Sequence, residues 1–275
     1  MVIQRVIILM SAFAAHALAQ VPSVEPADAN LANPATGSIV DRLQSCERSG
    51  AGAARDQCIE KLVGKPVNEE ARSACHGRVD AGSIDGAVSL PREGANFVRL
   101  SQGPMTAGRV FVHPAVRDVL VETYARLALK MPDVKWVYGE ASLARGGPIA
   151  PHKTHQTGTS LDLFVPVLDR SGRRVQFPNR PDNGYGYQVD FDAKGENATH
   201  AIDFEGLGEL LFQLATVARE RGIQPALVVY QRELRPALFR TGRGQWLKDN
   251  LPFPSWDDTV RHDEHVHVDF SVPCT

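Results

Sequence analysis

The stretch Arg261-His262-Asp263-Glu264-His265-Val266-His267-Val268-Asp269-Phe270 constrains this chain more than any other. From His265 onward polar and apolar residues alternate, which is the period of a half-buried strand. His265, His267, Asp269 and Ser271 then share one face, and Val266, Val268, Phe270 and Val272 share the other. The β-branched face belongs in a core. The polar face sets two imidazoles side by side, an arrangement suited to holding a metal ion, although a solvated, histidine-rich edge strand has the same pattern. On such a strand Glu264 points away from His265 and His267, so it is expected to be a solvent-facing charge.

A second constellation lies about a hundred residues earlier, in Pro151-His152-Lys153-Thr154-His155-Gln156-Thr157-Gly158-Thr159-Ser160-Leu161-Asp162-Leu163-Phe164-Val165. It reads as a loop with a glycine turn feeding a short buried strand, residues 161–167. Asp162 is the only charged residue in that apolar run. A carboxylate there is costly unless it is hydrogen-bonded, paired or bound to a cation. Two imidazoles and a carboxylate, with a fourth position left for water, form the donor set of a hydrolytic zinc site. Calcium or magnesium would call for mostly oxygen donors, and no cysteine lies near enough to make a closed structural site. Ser160 has a histidine and an aspartate nearby but no nucleophile-elbow context, which argues against a serine hydrolase.

At these residues the chain resembles a known group of peptidases. His155-x6-Asp162 followed by a late His265-x-His267 is similar to the superfamily of lysostaphin-type endopeptidases, D-Ala-D-Ala peptidases and hedgehog-type folds. The Gly146-Gly147-Pro148 lead-in, the paired His152 and His155, the spaced His262, His265 and His267, and the nearby Cys274 resemble the penicillin-insensitive murein endopeptidases. The resemblance implies His155, Asp162 and His267 as zinc ligands, with His152 as a further metal-site residue. It implies His265 as the catalytic histidine facing the reacting water and His262 as a second active-site histidine. His200 and Asp203 are the only nearby candidates for further second-site ligands, and their spacing does not match. The implied substrate is the peptide cross-link of peptidoglycan at the D-alanyl-meso-diaminopimelyl bond, cleaved without an acyl-enzyme and so insensitive to β-lactams. Glu264, three residues before His267, leaves a D-Ala-D-Ala carboxypeptidase or dipeptidase as the alternative, since related dipeptidases use Glu-x-x-His with the glutamate as base. A non-catalytic, zinc-stabilised cell-wall-binding module is the other alternative.

The chain has 275 residues, 43% of them hydrophobic, and a formal net charge of -2. That balance gives no reason to expect nucleic acid or an anionic membrane as partner. Residues 1–19 read as a cleaved signal peptide: one early positive charge, an apolar run from Val6 to Ala15, and the small-x-small site Ala17-Leu18-Ala19. The run is too short to span a bilayer. A soluble, periplasmic protein is expected. Residues 20–37, rich in Pro, Ala and Asn, read as a flexible linker, and 38–85 as a small helical, cysteine-bearing segment.

The metallopeptidase domain is assigned to residues 86–275, with helices starting at His113-Pro114 and at Phe204 and strands at residues 136–139 and 225–230. Residues 169–199 read as a long loop of the kind that walls a substrate site. Four cysteines in an exported chain allow three disulfide connectivities. A bridge of Cys46 to Cys58 across a helical hairpin would leave Cys75 with Cys274, and the other pairings stay open. Strands and helices do not alternate as in βαβ units. The expected fold is therefore α+β, an antiparallel sheet carrying the zinc site with helices on its other face.

Overall fold

The computed structural model describes residues 73–100, 108–178, 186–256 and 260–275. The assigned signal peptide, the linker and the helical hairpin with Cys46 and Cys58 lie outside these residues. In chain order the strands are β1 (Ala74–Arg78), β2 (Ala81–Asp85), β3 (Val88–Ser89), β4 (Phe97–Arg99) and β5 (Phe111–Val112). Helix α1 (Pro114–Lys130) and strands β6 (Trp136–Tyr138), β7 (Ser160–Phe164), β8 (Val167–Asp169), β9 (Arg174–Val175) and β10 (His200–Ile202) follow. The chain closes with α2 (Phe204–Glu220), β11 (Pro225–Val229), a 3-10 turn (Arg232–Leu234), α3 (Arg235–Leu238), α4 (Gly244–Asn250) and β12 (His265–Phe270).

The fold is mixed α+β. Its principal sheet has five strands in the order β11-β12-β7-β6-β4. Antiparallel pairing runs from β11 to β6, but β4 lies parallel to β6, so the sheet is mixed where the sequence reading made it wholly antiparallel. The cause is connectivity: α1 stands between β4 and β6 and returns the chain in the same direction. Strand β12 is the hinge of the arrangement, because its apolar residues Val266, Val268 and Phe270 join a core shared with Val119 and Leu127 of α1 and Leu207, Leu211 and Leu214 of α2. Each such buried aliphatic side chain contributes about 1.5–3 kcal/mol. The opposite face of β12 is thereby left to His265, His267 and Asp269.

Helix α1 begins where expected, with His113 as its N-cap: the ring Nδ1 accepts from the Ala115 amide, and Pro114 occupies the first turn. Helix α2 is capped by Asp203, whose side chain accepts from the Gly206 amide. The two helices pack against each other. Arg126 and Arg221 there bridge Glu122 and Glu220, which satisfies charges that the packing partly buries.

Two expectations about the chain's course need correction. The expected strand over 161–167 is two strands, β7 and β8, which belong to different sheets. Pro166, with no amide hydrogen to donate, marks the break. The residues from Ala74 to Asp85 form the antiparallel hairpin β1–β2, whereas the sequence reading included them in a helical segment. The C-terminal tail extends this hairpin, since Gly77 donates to the Thr275 carbonyl and Thr275 to that of Cys75. Cys75 and Cys274 are joined by a disulfide.

Candidate metal centre

Register brings the two sequence constellations together. Asp162 on β7 stands directly across from His267 on β12, although 105 residues separate them. His267 Nδ1 lies 2.9 Å from Asp162 Oδ1, and the same oxygen is 3.3 Å from His155 Nε2. His152 completes a set: it, His155 and Asp162 each place a donor atom within 4.8 Å of the others. His155 rings meet those of His152 and His267 edge-on at 5.0 and 4.7 Å between centroids.

The loop that delivers His155 is held by the hairpin. Gln156 donates its amide to Val79 and its side-chain nitrogen to Asp80 and Lys153 carbonyls. Gly147 in turn donates to the Gln156 carbonyl, and Ile84 to that of Arg145. Gly146, at φ +68°, runs so close that a Cβ would lie 2.0 Å from the Gln156 oxygen. His155 itself has φ +65°, a left-handed conformation that non-glycine residues seldom adopt. Strain of that kind is retained where the surroundings over-determine it, commonly at functional sites.

The donor set fits a cation. His155 is wholly buried, yet among the described residues neither ring nitrogen makes a hydrogen bond, Nε2 having only the 3.3 Å approach to Asp162 Oδ1, and Asp162 Oδ2 likewise makes none. Leaving such atoms dry and without hydrogen bonds would cost several kcal/mol in total. Ligands about 2.0–2.2 Å from a tetrahedral ion stand roughly 3.3 Å apart. The His155–Asp162 and His267–Asp162 separations lie close to that spacing.

Carboxylates back the other imidazoles, as expected of residues that orient metal-site histidines. His267 Nε2 donates to Asp269 Oδ1 at 2.8 Å, and Ser160 Oγ donates to that same oxygen at 2.6 Å. Ser160 is thus a buried donor to Asp269. His152 Nε2 donates to Glu140 Oε2 at 2.6 Å, which leaves its Nδ1 lone pair for a cation. Glu140 also accepts from the Tyr187 hydroxyl at 2.7 Å and from Arg109 Nη1 at 2.7 Å.

Electrostatics follow from these contacts. Burial alone would raise the Asp162 carboxyl, but the surrounding imidazoles hold it well below the usual carboxylate range. Burial keeps His155 below its ordinary value, so its ring is neutral and ready to coordinate. For His267 burial opposes the charged form, yet Asp269 and Asp162 outweigh it and push the ring up to about 10. Two carboxylates gripping one imidazole make this a place for positive charge.

His262 and His265 complete the cluster, with ring centroids 4.7 Å apart. His262 Nδ1 donates to the Val260 carbonyl, and burial together with His265 presses the His262 ring down to about 3, a neutral imidazole. Glu264 is not the solvent-facing charge expected from strand alternation. It immediately precedes β12, is 2% exposed, and accepts from His265 Nδ1 at 2.9 Å. Burial opposes charge on His265, but Glu264 beside it shifts the balance upward.

All six histidines and aspartates expected at the site therefore converge. His200 and Asp203 do not join them: Asp203 caps α2 and pairs with Arg174, and His200 bonds Thr199. Arg109 and Glu140 are site residues that sequence reading passed over, and Tyr187, which the sequence offers only as a loop aromatic that could stack on substrate, joins them through Glu140. Glu140 carried a signal, being a lone acid after the apolar run Trp136-Val137-Tyr138.

A buried cluster of three or more imidazoles around one carboxylate, on two interior strands of a mixed sheet, defines a protein with a candidate metal centre on an α+β scaffold. The family model for penicillin-insensitive murein endopeptidases matches residues 75–275, and the chain belongs to that family. It is accordingly a peptidase whose family acts on peptidoglycan. No curated protein sequence matches the chain significantly. The matched region opens at Cys75, so it includes the hairpin and both cysteines of the disulfide.

Proposed function

We propose that the protein is an exported zinc endopeptidase that cleaves the D-alanyl-meso-diaminopimelyl bond of peptidoglycan cross-links in the periplasm. The observation that carries the metal dependence is the wholly buried His155, whose ring nitrogens make no hydrogen bond among the described residues, beside Asp162. Family membership carries the substrate class. His155, Asp162 and His267 would hold the ion, with His152 as a further donor next to them. A zinc ion held there supplies a Lewis acid that polarises the scissile carbonyl and renders water nucleophilic near neutral pH.

The chain's own groups do the rest. His265 stands beside this set and shuttles a proton between the attacking water and the departing amine. His262, neutral and fixed by Val260, supports it from the side. Tyr187, whose ring lies 5.5 Å from that of His265, donates its hydroxyl to Glu140 and so borders the site. Ser160 is committed to Asp269, so β-lactams meet no nucleophilic serine here.

Mass spectrometry of cross-linked muropeptides before and after digestion tests this. The metal-loaded protein should convert dimers to monomers by cleavage at the D-alanyl-meso-diaminopimelyl bond, chelator should stop it, and zinc should restore it. Release of terminal D-alanine with dimers left intact would replace the endopeptidase by a carboxypeptidase. Binding of sacculi with no cleavage would make the chain a binding module.

A further inference from the structure

Glu264 is a buried charged group in this site to which the reaction outlined above gives no part. A Glu-x-x-His spacing invites the role of a base acting directly on water. The geometry is different. The carboxylate lies behind the imidazole of its own neighbour, where Oε1 accepts from His265 Nδ1 at 2.9 Å. Both side chains are almost wholly buried, at 3% and 2% exposure, so water does not compete for that bond. Backbone pairing fixes both ends: Val165 donates to the Glu264 carbonyl, and His265 is in register with Phe164 on β7. The His265 ring is also flanked by Phe164, Tyr187 and His262, with centroids 6.0, 5.5 and 4.7 Å away, so its swing is restricted.

We propose that Glu264 is a positioning residue that locks the proton of His265 on Nδ1 and so reserves Nε2 for the reacting atoms. An imidazole can present either nitrogen, and the bond made by one determines the state of the other. With Nδ1–H donated to Glu264, Nε2 carries the lone pair that takes the proton of the attacking water and then passes it to the leaving amine. The proton on Nδ1 stays where it is throughout. The alternation of faces, which would turn Glu264 outward, does not apply, because Glu264 lies one residue before β12 begins. The inference rests on the reading of His265 as the proton-transfer group of a peptidase.

A double-mutant cycle with a spectroscopic arm tests it. Glu264→Ala should lower kcat about 10- to 100-fold, with KM and bound zinc unchanged. In the His265→Ala background the same change should cost nothing further, because Glu264 acts only through that ring. Multiplicative losses would instead make Glu264 a direct participant and overturn the proposal. Proton–nitrogen correlation spectra of the histidine rings give a readout without turnover. The Nδ1-bound proton of His265 should be seen in the parent protein and lost in Glu264→Ala, with Glu264→Gln, which keeps an acceptor oxygen, retaining it in part. An unchanged His265 spectrum in Glu264→Ala overturns the proposal even if muropeptide cleavage is absent. A changed spectrum with no cleavage by the parent protein faults the peptidase reading alone.

Discussion

At the scale of single residues, the cluster separates groups that hold charge from groups that move a proton. His155→Ala removes a wholly buried imidazole whose ring nitrogens make no hydrogen bond among the described residues, and should cost the bound metal and all activity. His265→Ala should keep the metal and lose activity by a hundredfold or more, roughly the loss seen when one charge-stabilising or proton-transfer group is removed. Elemental analysis beside turnover checks both, and full metal occupancy in His155→Ala would remove it from the ligand set. Asp263 offers a different test, of acid stability. Its carboxylate is wholly buried and accepts from the Phe191 amide at 2.5 Å and from Arg261 Nε at 3.0 Å. Burial would raise it, but Arg261 and that amide hold it below the usual carboxylate range. A depressed carboxyl stabilises the fold above its unfolded value of about 3.9, and the contribution disappears as pH falls through the folded value. Asp263→Asn should therefore be less stable than the parent at pH 7, by about 1–3 kcal/mol. The gap should close on acidification below about pH 4. Thermal midpoints of both proteins from pH 7 to 2.5 measure it, and a gap independent of pH would deny the carboxylate this role.

At the scale of elements, the site depends on a register and a clamp. The β7–β12 pairing sets Asp162 opposite His267, and a slip of one residue would turn every histidine of β12 into the core. The faces of β12 and the buried Asp162 were legible, in the alternation from His265 to Phe270 and in a lone acid within an apolar run, but the register that sets them opposite each other was not. Glu264 was misread because alternation was extended one residue past the start of the strand. Glu140 had only its place after the apolar run Trp136-Val137-Tyr138 to mark it, and Arg109 had no local mark, because their roles depend on Tyr187 and His152 arriving from other loops. The clamp was not legible either, because hairpin β1–β2 holds the ligand loop through carbonyls of Val79 and Asp80 and the amide of Ile84, backbone groups that no side-chain pattern marks. Gly146→Ala tests it. A Cβ 2.0 Å from the Gln156 oxygen, on a residue at φ +68°, must displace the clamp. Destabilisation of about 1–3 kcal/mol is expected. A lowered zinc affinity should accompany it, because Gln156 follows His155 directly. Competition with a chromogenic chelator reads the affinity, and unchanged affinity would separate the hairpin from the site.

At the scale of the whole molecule, the α+β class and both long helices could be read from the sequence, because their signals are periodic and local. The parallel pairing of β4 with β6 and the hairpin at residues 74–85 could not, since both are decided by partners distant in the chain. The disulfide has the longest reach of all, with Cys75 and Cys274 separated by 199 residues. In the chain-entropy model, closing a loop of that size is worth about 5 kcal/mol, arising mostly from restriction of the unfolded chain. Its native consequence is more specific. Cys274 lies just beyond β12, which carries His265 and His267, and Cys75 lies in β1, whose hairpin holds the loop bearing His155. One covalent link therefore joins the two halves of the metal centre from behind. Reduction, or the pair of changes Cys75→Ser and Cys274→Ser, should lower the thermal midpoint by several degrees or more and weaken zinc binding in the folded protein. The second effect distinguishes the two contributions: a restriction of the unfolded chain alone lowers the midpoint and leaves the affinity of the native site untouched. Zinc affinity measured well below the midpoint of the doubly substituted protein decides the matter. An affinity equal to that of the parent would confine the bridge to the unfolded state, and a tenfold loss would place it in the support of the site.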